Sequence, residues 1–449
     1  MPVDGRPDEP EGGQPRGSRR SRARALSRLV VVDLSPLRDS PGFRALFLGR
    51  IGSSVGRQVL VVATALQVFD LTGSSLDVGL LGAVQLVPSL ALALIGGALA
   101  DTMERRKLLT TTQILLAVTS MALAANALLG EARVWPIFVL IAVNAGISAI
   151  DQPARTAVLP TLVTAEAYPS SLALIQLLNS LTNTVVPAVS GILIAFVGLP
   201  ITYFLSAVAF GTAGLLIRRI PPGRSRPSAG RFRVESILEG IRYLRGNRLI
   251  MSTMLIDLNA MIFGMPRALF PEWGTVLLGG NATTVGLLYA APGTGAWLAG
   301  LTSGWVGRVR RRGRAVIASV VVWGVAVAAF GVSRSLPIAL AMLAIAGAAD
   351  VVGAVFRNAI TQLTLPDHLR GRISSIHAAA VTSGPRLGDF EAGAVAAATS
   401  LQFSVVSGGI LCVGGAWLIS RWVPELASYV APSTDDPNAA PREGFPPDI

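Results

Sequence analysis

The chain has 449 residues, of which 51% are hydrophobic and only 14% charged, and its formal net charge is +12. The mean hydropathy is +0.58, whereas a soluble protein carries about 25% charged residues, so the composition does not fit a water-soluble enzyme of two or three ordinary domains. One cysteine, Cys412, and the lack of a glycine period remove the disulfide-rich and fibrous classes.

Residues 1–40 are rich in Arg, Gly, Pro and Ser, with no apolar block of signal-peptide type, and read as a disordered basic cytoplasmic arm that touches anionic lipid. No nucleic-acid-reading module accompanies the arm, so no nucleic-acid partner is expected. A bilayer-crossing helix needs about 20 apolar residues. Six such spans are expected first, over 44–69, 76–100, 108–129, 134–155, 170–197 and 200–218, the last two divided at Gly198-Leu199-Pro200. An Arg-rich linker over 219–248 follows, with a short interfacial helix at 234–243. Six more spans are expected over 249–271, 282–306, 314–332, 336–358, 373–397 and 400–421, and then a disordered cytoplasmic tail, 423–449.

The fold class expected is therefore an all-α polytopic membrane protein of twelve helices in two pseudo-symmetric six-helix bundles, 41–218 and 249–422. Basic residues concentrate after spans 2, 6 and 8, at Arg105-Arg106-Lys107, from Arg218 to Arg248 and from Arg308 to Arg314. The positive-inside rule places those loops and both termini in the cytoplasm, with the bundles in a bacterial inner membrane. The halves also echo each other: Gly73-Ser-Ser-Leu-Asp-Val-Gly79-Leu-Leu opens span 2 and Gly280-Asn-Ala-Thr-Thr-Val-Gly286-Leu-Leu opens span 8. Repeated six-helix halves around a midplane site are characteristic of secondary transporters.

Ionisable groups inside a membrane cost about 2.5–3.5 kcal/mol each, so each needs a partner or a wet cavity. Asp151 and Arg155 stand four apart on span 4 and can pair; a gate pair, a substrate or proton role and a plain interfacial pair are the readings. Asp350 and Arg357 stand seven apart, which reads as too far for direct contact: Asp350 faces the cavity and Arg357 anchors the cytoplasmic end. Asp257 has no base within a helical turn, so it meets an arginine from another helix or carries a proton. Asp389 is expected to pair with Arg386, leaving Glu391 as the freer carboxyl; both are proton-coupling candidates. Arg57, Gln85, Gln176, Asn179 and Asn183 are the substrate-cavity candidates, with Arg57 suited to an anionic substrate or to an aspartate of span 4 or 5. His368 and His377 are the only histidines, so no metal is expected, and no phosphate-cradling loop is present.

Gly97-Ala-Leu-Ala-Asp101-Thr102-Met103-Glu104-Arg105-Arg106-Lys107 resembles the loop between helices 2 and 3 of the major facilitator superfamily, with Thr102 and Glu104 at two variant positions. Asp151-Gln-Pro153-Ala-Arg155, Asp70-Leu-Thr72-Gly73-Ser74, Arg370-Gly371-Arg372 and Leu387-Gly388-Asp389-Phe390-Glu391-Ala-Gly393 are similar to its enterobactin-exporter-like branch of drug and siderophore efflux proteins. The resemblance implies that Asp101, Arg105 and Arg106 latch the two halves. It also implies a monomeric, non-enzymatic exporter of a hydrophobic or amphipathic small molecule, driven by the proton gradient with no bound cofactor. An importer or facilitator on the same fold, a membrane-embedded enzyme and a non-transporting sensor are the alternatives.

Overall fold

The computed structural model describes residues 33–129, 131–221, 239 and 242–431, apart from side chains at 94, 98, 100, 101, 303, 367 and 368. Most of the basic arm, most of the expected linker with its interfacial helix, and the tail beyond 431 lie outside the described residues. All regular structure among the described residues is helical. A short α1 (Ser35–Asp39) precedes α2 (Pro41–Thr72), α3 (Ser75–Thr102), α4 (Arg105–Leu128), α5 (Val134–Leu162) and α6 (Tyr168–Ile217). Then come α7 (Arg248–Phe263), α8 (Ala282–Leu301), α9 (Arg312–Val332), α10 (Leu336–Thr364), α11 (Asp367–Ala398), α12 (Leu401–Trp422) and a short α13 (Pro424–Ser428).

Among the described residues, nine segments are long and apolar enough to cross a bilayer. α6 is one of them, yet its 50 residues are two rods folded back at Gly198, whose φ of 79° suits glycine. α8 and α11 fall outside the nine because threonines and glycines dilute the hydropathy of α8, and Arg386, Asp389 and Glu391 interrupt the apolar part of α11. The expected twelve spans are reached only by dividing α6 and admitting α8 and α11 as crossings. The outward faces need hydrocarbon as solvent: Phe196 is 83% exposed, Leu128 72% and Trp417 59%. The molecule is an all-α polytopic membrane protein.

The two repeated strings mark matching helix starts. Gly73 adopts φ 63° and closes α2, and the Ser74 hydroxyl then accepts the Asp77 N–H that opens α3. Gly279 adopts φ 61°, and the Asn281 side chain accepts the Thr283 N–H at 2.9 Å to open α8. One turn further on, each string delivers a glycine to a helix of the other half. A Cβ on Gly79 would stand 2.5 Å from the Asp389 carbonyl oxygen of α11, and one on Gly286 2.6 Å from the Pro187 carbonyl oxygen of α6. So α3 packs on α11 and α6 on α8, and these are the main contacts between the part of the chain before 222 and the part after 238. Ser75 Oγ adds a 2.5 Å hydrogen bond to Glu272 Oε2. The Ser75–Glu272 bond and the glycine-mediated approaches between the two parts lie at mid-depth or nearer the end away from the basic loops.

The single rod expected over 249–271 is broken. α7 stops at Phe263, and Arg267–Leu269 forms a tight turn followed by Phe270–Glu272 and a wide turn over Trp273–Leu277. Gly264 caps α7, and Pro266, which lacks an N–H and disfavours the helical region for Met265, keeps the ladder from resuming at once. The break is braced from α9, where Trp323 Nε1 donates to the Gly264 carbonyl at 2.7 Å. Phe270, Trp273 and Phe330 stack beyond it, with Trp273 and Phe330 ring centres 4.5 Å apart. The helix expected at 373–397 begins at Asp367, so Arg370 and Arg372 belong to its first turns.

Candidate functional site

Two buried ionic clusters sit at related places in α5 and α10. In α5, Asp151 and Arg155 are 0% and 2% exposed and form a close ion pair. The helix runs intact through Pro153, as the pairing requires. Thr112 Oγ1 and Gln113 Nε2 of α4 donate to Asp151 Oδ1 at 2.7 and 3.0 Å, and Arg155 donates to Ser53 Oγ of α2 at 2.8 Å. The cluster thus welds α2, α4 and α5 of one half, and among the described residues its hydrogen bonds and ion pair stay within that half.

In the second half, Arg357 of α10 stands 2.6 Å from Asp257 Oδ1 of α7, an ion pair not aligned as a hydrogen bond, and 3.4 Å from Asp350 Oδ1. This corrects the reading that Asp350 and Arg357 are too far apart to touch. Two turns are about 10.5 Å of rise, which an extended guanidinium and a carboxylate can span together along one face. His377 Nε2 of α11 lies 3.4 Å from Asp257 Oδ2. For Asp257, the inter-helix arginine is the alternative realised. Two carboxylates share one guanidinium here, and only the Asp350 side chain, 30% exposed, reaches a cavity.

Two cavities lie between the halves. The first, about 410 Å³, is lined by Gln58, Gln176 and Asn183 on one side and by Arg267, Tyr289 and Asp350 on the other. The second, about 360 Å³, is lined by Arg57, Gln85 and Asn144 of the first half and by Arg267, Arg386 and Asp389 of the second. Val61, Arg267 and Tyr289 line both and form the partition between them. Tyr289 Oη donates to the Arg267 carbonyl at 3.0 Å, and its ring meets Phe270 edge-on at 5.1 Å.

Arg57, Gln85, Gln176 and Asn183 line these cavities, and Asn183 Oδ1 accepts a short hydrogen bond from Gln58. Asn179 lines neither, and its carbonyl accepts from Thr182 at 3.1 Å. Arg57 forms no direct ion pair among the described residues: its guanidinium donates to Ser54 Oγ at 3.3 Å and is attracted by Asp151 of α5, which is itself paired with Arg155. Asp389 is not paired with Arg386: its Oδ1 accepts the Ala268 N–H at 3.1 Å, while Arg386 donates to the Thr382 carbonyl at 3.3 Å. Glu391 lines neither cavity and has no ion-pair partner among the described residues. Arg105 donates to the Ala157 carbonyl of its own half at 2.9 Å and Arg106 pairs with Glu104 at 3.0 Å, so neither reaches across, and the Asp101 side chain lies outside the described residues. Sequence reasoning missed Arg267, Tyr289, Asn144 and Gln58. The signal for Arg267 was present: a lone arginine after Gly264-Met265-Pro266 inside an apolar span.

A family profile described as transmembrane secretion effector matches residues 31–443. The chain is similar to the enterobactin exporter EntS of Citrobacter koseri, 28% identical over 392 residues that cover 86% of this chain and 92% of that protein. It is 27% identical over 390 residues to the enterobactin exporter EntS of Shigella boydii, with 86% and 92% covered. Its fold is similar to a bacterial homolog of the lysosomal transporter Spinster in an inward-facing, unoccupied conformation, with a TM-score of 0.68 at 14% identity, covering 87% of this chain and 98% of that one. A bacterial homologue of the iron transporter ferroportin, also inward-facing, gives 0.63 at 15% identity, covering 86% and 98%.

Proposed function

The chain belongs to the transmembrane secretion effector family of the major facilitator superfamily, a family of non-enzymatic transporters, and from that premise we propose that it is a secondary active exporter of a hydrophobic or amphipathic small molecule, with siderophores as the first class to test. The observation that carries this reading is the pair of cavities shared by both halves, sealed by the glycine contacts Gly79–Asp389 and Gly191–Gly286 at one end. Cavities of this size suit ligands of drug-like bulk. The basic loops mark the cytoplasmic end, both termini lie on that side, and the twelve rods form two bundles that rock about the cavity.

Coupling to protons has a natural seat at the second ionic cluster. With Asp257, Asp350 and Arg357 all charged, the three groups sum to one net negative charge, which the field of Arg267 partly offsets and a single proton on Asp350 removes. Asp350 gives that proton a route from the cavity. Proton entry loosens Asp350 from Arg357, and the freed arginine holds Asp257 alone. Moving one charge across 100 mV supplies about 2.3 kcal/mol.

The test is transport in proteoliposomes with enterobactin and a panel of amphipathic dyes, with and without an imposed pH gradient. Gradient-dependent accumulation that stops on adding an uncoupler is the expected result. Gradient-independent equilibration would make the protein a facilitator, and no movement of any compound would remove the transport reading.

A further inference from the structure

The second cavity has a charge imbalance that the transport reading leaves unexplained. Three guanidinium groups, Arg57 from α2, Arg267 from the broken segment and Arg386 from α11, line its wall, against one carboxylate, Asp389. None of the three forms an ion pair among the described residues, and Asp389 is engaged by the Ala268 N–H. Asp389 attracts Arg267 and Arg386 together, and Asp151, already paired with Arg155, attracts Arg57, so the guanidinium groups outnumber the carboxylates that face them. Surplus positive charge at membrane depth is costly, and an outside anion can take it up. The rest of the wall is apolar and amide-lined, with Leu60, Ile141, Gln85 and Asn144 among its residues.

We infer that this cavity is the anion-binding lobe of the transport site, and that the substrate class is an amphipathic acid: an apolar or aromatic body carrying at least one deprotonated oxygen acid. The acid group sits between Arg57 of one half and Arg267 of the other, and the apolar body lies along Leu60 and Ile141. Because the two arginines belong to different halves, the anion bridges them and neutralises both at once. Arg386 adds to the field from the same side as Asp389. The inference deepens the transporter reading and rests on it for the word substrate, while the binding site itself stands on the cavity geometry.

The test is equilibrium binding of dansylglycine and its neutral twin dansylglycinamide to the protein in nanodiscs, with empty nanodiscs as blank and no gradient present. The wild type is expected to prefer the carboxylate. Arg57→Gln and Arg267→Gln should each weaken dansylglycine about tenfold, the loss of one charge-assisted hydrogen bond, and leave the amide within about twofold. Arg57→Lys keeps the charge and should retain most of the binding, which separates loss of the site from loss of folding. Equal binding of the two probes by the wild type, or equal losses for both in the variants, would overturn the proposal. A chain that prefers the acid yet moves nothing in proteoliposomes sinks the transport reading alone. A chain that pumps neutral compounds and ignores charge sinks the anion lobe alone.

Discussion

At residue scale, each buried arginine shows what its partners demand. Arg357 faces two carboxylates, so Arg357→Gln leaves Asp257 buried with only His377 beside it. Removing one member of such a pair costs about 3–5 kcal/mol. The single variant is expected to lose thermal stability and monodispersity in detergent, and Arg357→Gln with Asp257→Asn to recover most of it; no recovery would mean that Asp257 is not the group left exposed. Asp151→Asn should act the same way in the first half, through folding, and Asp151→Asn with Arg155→Gln should restore a stable protein, read by a melting curve. The Asp151–Arg155 pair was legible in the sequence because four residues bring side chains onto adjacent turns. The Asp350–Arg357 contact was not, because seven residues look distant until the length of both side chains is counted. The Asp257–Arg357 pair was readable only as an alternative, since which helix supplies the base depends on how α7 and α10 pack.

At the scale of elements, the glycines of the repeated strings decide how closely the halves meet. Gly79 and Gly286 were legible as a repeat, but their job was not, because a glycine that starts a helix and one that admits a neighbouring backbone look alike in a string. Valine at Gly286 forces α8 away from the Pro187 carbonyl and from Gly191. Overpacking of this kind costs about 1–3 kcal/mol, borne only by the closed contact. The expected outcome for Gly286→Val is a folded, monodisperse protein whose transport falls about tenfold, at the lower part of that range. Unchanged transport would show that the α6–α8 contact need not form. α7 was read as a rod because its apolar run is unbroken on hydropathy; Gly264 and Pro266 carried the contrary signal, and with it Arg267.

At the scale of the whole molecule, the composition alone fixed a lipid-immersed helical fold, while the depth of the cavities and the side at which the halves meet came only from packing. Ser75 and Glu272 touch across that meeting point. Cysteines at both positions, joined by a short bifunctional thiol reagent, should halt transport until the link is cleaved, and the buried Cys412 will not compete for the reagent. Transport that continues in the linked protein would show that this end never opens. The clamped ring of Tyr289 has a consequence of its own. It is tied to the carbonyl of Arg267 and wedged against Phe270, so it swings only if the kinked segment beneath it shifts. On the transporter reading, cargo longer than one chamber would have to lift the phenol aside; trimming the ring in Tyr289→Ala should then raise the size cut-off of what is carried, measured across a ladder of homologous compounds, and an unchanged cut-off would take that role from the ring.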